Sequence, residues 1–251
     1  MKVVLINTSE RTGGAAVAAN RLVKALRKSG VEATMLVRDR STDDSYTVSV
    51  SKTSRQRFAF RFRFLWERLV IFLQNGFSRK RLFEVSIANT GVDLRDHPLV
   101  READVIHLHW INQGFLSIRD IRKLQQTGKP LVWTMHDMWP CTGICHHARE
   151  CTHYYNFCHH CPRLHSRWKH DLSARTYKKK AYYLCTKDIA YVPCSQWLEG
   201  QTRKSALIQG SITHIPNPID TSVFKRQEQE KHAIRVRLGL PLDKRLVLFG
   251  A

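Results

Sequence analysis

Residues 3–6 are a short apolar run rich in β-branched side chains, residues 8–14 are a polar turn holding Gly13 and Gly14, and residues 15–29 carry a helical stripe that stops at Gly30. Ala18, Leu22 and Leu26 recur at helical spacing, with Ala19 and Val23 beside them. Residues 33–37 then read as a second buried strand. A strand, a glycine turn, an amphipathic helix and a second strand make the opening of a doubly wound α/β sheet.

The alternation continues. Strands are expected at 104–109, 131–135, 189–193 and 212–215, and helices at 58–73, 117–126, 174–185 and 195–206. Residues 39–54 are polar and read as a loop. The predicted fold is α/β, a Rossmann-like doubly wound parallel sheet with a Cys/His-rich loop inserted at 140–165. Residues 1–220 form the main domain. Residues 221–244, charged and proline-containing with a short helix at 232–238, read as an interdomain linker. Residues 245–251 read as the first buried strand of a second domain. A core strand with nothing to pair is unfavourable, so the chain is expected to be a truncated piece of a two-domain protein.

The 251 residues suffice for one large domain or one domain plus the start of another. No apolar run reaches the ~18 residues of a membrane span. The first apolar run is too short for a signal peptide, which favours the cytoplasm. Five of the seven cysteines (141, 145, 151, 158 and 161) lie within one loop. In a reducing compartment such clustering favours metal binding over disulfides.

The net charge of +20 calls for an anionic partner: nucleic acid, an anionic lipid surface or a phosphate-bearing substrate. Residues 52–81 hold nine Lys or Arg against one acid, Glu67, interleaved with Phe58, Phe60, Phe62, Phe64 and Trp66. A basic, aromatic, amphipathic segment reads as a membrane-surface element, and Lys178, Lys179 and Lys180 are expected to add to it. A solvated face with its aromatics packed inward is the structural alternative. The basic residues follow no recognised nucleic-acid signature, so no specific nucleic-acid partner is expected.

The most informative segment is Trp133-Thr134-Met135-His136-Asp137-Met138-Trp139-Pro140. It places His136 and Asp137 just past a strand, where open α/β sheets bind ligands. The loop behind it does not read as ordinary core. His107 and His109 alternate along residues 104–109, so both point to one face. Cys145, Cys151, Cys158 and Cys161 have the spacing C-x5-C-x6-C-x2-C. Four thiolates suit a closed, structural zinc site. Cys141 or one of His146, His147, His153, His159 and His160 is an alternative ligand, and free thiols or disulfides remain open.

Taken together, Asn7-Thr8 with Gly13-Gly14, the run from Asp104 to Trp110, the His136 segment, and Pro216-Asn217-Pro218 with Phe224 resemble family 4 glycosyltransferases. The nearest group resembles bacterial enzymes of capsule, exopolysaccharide and lipopolysaccharide assembly. The resemblance implies the N-terminal, acceptor-side half of a two-domain GT-B enzyme. It also implies retaining sugar transfer from a nucleotide-sugar donor to a glycan or lipid-linked acceptor, with no catalytic metal. His136 would contact the transferring sugar or the acceptor. Asp137 would fix its tautomer or bind an acceptor hydroxyl. Gly13 and Gly14 would border the donor diphosphate, and His107, His109, Trp110 and Asn217 would line the substrate pocket. The resemblance places the protein in the cytoplasm, peripheral at the inner face of the cell membrane. The nucleotide-binding residues would lie beyond Ala251, so this piece alone is expected to be inactive or nearly so. The competing classes are a basic nucleic-acid-binding module and a non-catalytic sugar-binding module with a structural zinc.

Overall fold

β1 (Lys2–Ser9) is buried from its second residue to its last, with no polar face. Such a strand belongs at the centre of a sheet covered on both sides. In the computed structural model, which describes residues 1–165, 168–226 and 230–248, it is central. Among the described residues six parallel strands form one sheet in the order β3-β2-β1-β4-β5-β6. The others are β2 (Glu32–Asp39), β3 (Thr47–Ser49), β4 (Val105–Leu108), β5 (Leu131–Met135) and β6 (Ile189–Pro193). This is the order of a Rossmann-like doubly wound sheet. It reverses direction between β1 and β4, which opens a crevice at their carboxyl ends.

Successive strand residues feed opposite faces. Val3, Leu5, Ala33, Met35 and Val37 pack with Ala19 and Val23 of α1 (Gly14–Lys28). Val4, Ile6, Leu36, Ile106 and Leu108 enter the larger core on the other face. That core also takes Ile118, Ile121 and Leu124 of α4 (Ile118–Gln125), and Leu172, Tyr177 and Leu184 of α5 (Leu172–Leu184). α6 (Gln196–Arg203) follows β6, capped by Ser195, whose Oγ accepts from the Leu198 amide at 3.2 Å.

Several expectations are corrected. β3 lies inside the stretch read as a loop. It is three residues long and pairs only with β2, so its sequence carries almost no apolar periodicity. The expected strand at 212–215 is reduced to a bridge from Ile212 to Tyr191, continued by the Ile215 amide donating to the Pro193 carbonyl at 3.2 Å. The Cys/His loop does pack as core: Trp139, Cys141, Ile144, Tyr154, Cys158 and Leu164 all join the main cluster. Lys180, read as a surface charge, is buried, because it shares a helical face with Ala174, Thr176, Tyr177 and Leu184.

α2 (Ser54–Gln74) is the least expected element. Its core face carries Phe60, Ile71 and a buried ion pair, Glu67 with Arg68 at 3.1 Å. Glu67 Oε1 accepts from the amides of Ile87 and Ala88 at 2.8 and 2.9 Å, and Arg68 Nη1 donates to the Val85 carbonyl at 3.1 Å. The pair thus pins residues 82–88 to the helix. The periodic apolar stripe faces outward: Phe58, Phe62, Leu65, Trp66, Leu69 and Leu73 are all exposed.

Residues 219–251 form a separate unit. α7 (Lys231–Arg237) buries no residue. Residues 245–248 have no regular structure, and Val247 and Leu248 are 91% and 97% exposed. Among the described residues this unit offers no strand to pair with them. Residues 249–251, the rest of the expected strand, lie outside the described residues.

Glu67→Ala strands Arg68 and two backbone amides and should destabilise the fold by about 3–5 kcal/mol. Replacing both partners, Glu67→Met with Arg68→Leu, should recover much of that loss, because no unpaired charge remains. Urea denaturation of both variants checks the pair. A single variant as stable as the parent contradicts its role.

Candidate active site

The carboxyl ends of β1, β4 and β5 lie side by side, and the polar residues that follow them are tied together. Asn7 Oδ1 accepts from the Trp110 amide at 2.8 Å. The Thr8 amide donates to the Trp110 carbonyl at 2.8 Å, and Thr8 Oγ1 donates to the Asn112 carbonyl at 3.1 Å. Asn7 and Thr8 are both buried. Their side chains therefore fix the chain across the switch point of the sheet.

Asp137 anchors the next layer. Its Oδ1 accepts from the Trp139 amide at 2.8 Å. Its Oδ2 accepts from Trp110 Nε1 at 3.0 Å and faces His146 Nδ1 at 2.7 Å. Burial pushes the carboxyl pKa up, but the hydrogen bond and charge of His146, with the Trp139 and Trp110 donors, outweigh it and hold Asp137 below the usual range. His146 Nε2 reaches Ser86 Oγ at 2.9 Å. Residues 84–86 are in turn paired with 144–146 through backbone bonds, including Ser86 to Ile144 at 2.8 Å.

His136 is half-buried just after β5. Its partner is His109, not Asp137: His109 Nδ1 and His136 Nε2 are 2.9 Å apart. The tautomer of His136 is therefore set by a histidine on β4's carboxyl end. His107 bonds Thr134 Oγ1 at 2.8 Å, and its ring centroid lies 4.6 Å from that of His109. Burial pushes the pKa values of His107 and His136 down to about 4, and that of His109 well below 6.5. All three are neutral near pH 7. His136 Nδ1 has no hydrogen-bond partner among the described residues, so a neutral nitrogen is left to donate to or accept from a hydroxyl.

His107 and His109 line a cavity of about 150 Å³ with Thr134 and the exposed Asn217. Trp110 lies outside it and points instead at Asp137. Gly13 caps α1 with φ +88°, a backbone region that favours glycine, and no side chain occupies its cap position. A Cβ at Gly13 or Gly14 would meet nothing within 4 Å, so the space above this turn is open. The carboxyl-edge histidines were legible from their strands. The roles of His146, Ser86 and Lys180 were not, since each depends on a contact across the chain. Lys180 Nζ donates to the carbonyls of Trp139 and Thr142 at 2.5 and 2.9 Å and lies 3.5 Å from the Trp139 ring centroid. Burial lowers its pKa to about 7.

A family model described as Glycosyltransferase Family 4 matches residues 12–223. The chain belongs to Glycosyltransferase Family 4. This family 4 chain is 32% identical over 68 residues to WcaC of Escherichia coli (strain K12), named for glycosyl transfer in colanic acid biosynthesis. That match covers 27% of this chain and 17% of WcaC. Among solved structures it is similar to Anabaena HepE in complex with UDP, at TM-score 0.45 and 11% identity, covering 95% of this chain and 50% of HepE. HepE in complex with UDP-glucose matches at TM-score 0.42 and 14% identity, over the same shares. The family 4 chain thus spans about half the length of these structures.

The neutral histidines make a pH prediction. The unfolded chain protonates them near pH 6.5, whereas the folded chain holds off protonation of His107 and His136 to about pH 4. Their stabilising contribution is complete above pH 6.5 and is lost as pH falls toward 4. Each histidine should remove roughly 1.4 kcal/mol per pH unit inside that window. Urea midpoints at pH 7 and pH 5 check this, and His107→Gln should flatten the slope.

Proposed function

We propose that the protein is a retaining glycosyltransferase that moves a sugar from a nucleotide-sugar donor to a glycan or lipid-linked acceptor in cell-surface polysaccharide biosynthesis. This chain supplies the acceptor-side wall of a two-domain GT-B site. The observation that carries the reading is His136: neutral, half-buried, oriented by His109 and presenting its free Nδ1 at the carboxyl edge of the sheet. A neutral imidazole so held can hydrogen-bond a sugar hydroxyl without adding charge. Asp137 positions this edge through Trp110 and His146.

Family membership supports the sugar-transfer chemistry, and the open Gly13–Gly14 turn supports approach of a diphosphate. Backbone amides at a helix N-terminus stabilise the negative charge of a departing nucleotide diphosphate.

The acceptor is proposed to be lipid-linked and met at an anionic membrane surface on the cytoplasmic side. No helix among the described residues is long and apolar enough to cross a membrane, so the contact would be peripheral. Two observations support it. The outward stripe of α2 puts Phe58, Phe62, Leu65, Trp66, Leu69 and Leu73 in solvent beside a strongly basic sequence. The single acid of that sequence, Glu67, is buried against Arg68 and does not offset the surface charge. Next to this helix, a cavity of about 730 Å³ is lined by Arg38, Arg40, Arg57 and Arg61, against Asp39 and Asp43. That lining suits the phosphates of a lipid-linked acceptor.

In the full-length protein, His136→Ala should lower kcat/KM for sugar transfer by about 10²–10⁴-fold with the fold intact by circular dichroism. Unchanged transfer would remove His136 from the mechanism. Replacing Phe62, Trp66 and Leu69 together with serine should abolish sedimentation with phosphatidylglycerol vesicles while leaving the melting temperature nearly unchanged. Equal binding of the parent to neutral and anionic vesicles would refute the membrane reading.

A further inference from the structure

The cysteine loop is the chemistry-bearing cluster that sugar transfer leaves unused. Cys145, Cys151, Cys158 and Cys161 line one cavity of about 10 Å³, roughly the space that one small ion or a water fills. All seven cysteines are free, so no disulfide accounts for the convergence. One backbone amide is directed at a sulfur: Gly143 donates to Cys158 Sγ at 3.3 Å. An N–H placed this way is the usual outer support of a ligating sulfur. Gly143 makes the approach possible, since a Cβ there would lie 2.8 Å from the Ser173 carbonyl oxygen and 3.0 Å from Cys158 Cβ.

The loop is also tied to α5: Lys180, buried beside it, donates to the Trp139 and Thr142 carbonyls at 2.5 and 2.9 Å.

We propose that Cys145, Cys151, Cys158 and Cys161 bind one structural zinc ion. The ion locks the 140–165 loop beneath the Asp137–His146 contact. Four thiolates at about 2.3 Å leave no open coordination position, so the site braces and does not catalyse. Binding displaces four thiol protons to solvent, and affinity rises with pH. As the side chains stand, no three His, Cys, Asp or Glu among the described residues are grouped to hold a metal ion. The thiols must therefore rotate about χ1 to close on the ion. His159 also lines the cavity, with Nδ1 buried and unpartnered. It is the side chain that the test must separate from the four cysteines.

Full-length protein purified without chelator should carry about one zinc per chain by elemental mass spectrometry, and an organomercurial should release it in step with about four thiols. Cys158→Ser and Cys161→Ser should each cut zinc to about a tenth or less. Cys185→Ser and His159→Ala should retain it. Well under one equivalent in the folded parent, or disulfides among these cysteines by mass spectrometry, overturns the proposal. So does zinc that survives Cys158→Ser, or zinc that is lost in His159→Ala. If a cysteine variant does not fold, the metal content and thiol titration of the parent decide alone.

Discussion

The carboxylate of Asp137 holds the carboxyl edge of this domain together. It accepts hydrogen bonds from Trp110, past β4, and from the Trp139 amide, past β5, and it pairs with His146 in the cysteine loop. Because the group is half-buried, each donor acts in a medium that screens less than bulk water, and loss of any one leaves the carboxylate under-satisfied. The ties bring Trp110, the Asp137–Trp139 turn and His146 to one small region. His136, one residue earlier, stands outside these ties and is held by His109 instead.

A second constraint sets the outer shape. α2 turns a charged pair inward and an apolar stripe outward. Glu67 and Arg68 are held inside by their ion pair and by backbone groups of residues 82–88, which meet Glu67 Oε1 and Arg68 Nη1, and those contacts fix the helix's rotation about its axis. The exposed aromatics are therefore a consequence of the buried pair. The membrane proposal rests on that rotation, which composition alone does not set.

Much of the layout was legible in the sequence. The strands at 131–135 and 189–193 fall where the apolar runs put them, and α1 lies within a residue of its glycine stop. His107, His109 and His136 sit on the expected edge because strand alternation and strand ends are local properties. The rest needed distant partners. β3 is too short and polar to announce itself. α2's stripe was visible, but its facing was not. Lys180 read as one of three surface lysines until the core closed around its helix. Adjacency allows Asp137 to fix the tautomer of His136 or to bind an acceptor hydroxyl, while in the fold the partner of His136 is His109.

The sequence by itself determined a doubly wound parallel sheet, the positions of the carboxyl-edge histidines and the clustering of the cysteines. These follow from periodicity, turn chemistry and spacing, which act over a few residues. Only the tertiary structure decided which histidine orients which, that a lysine is buried beside the thiols, and which face of α2 meets solvent. Those outcomes depend on satisfying buried polar groups across the chain, and no local pattern specifies a partner 20 to 41 residues away.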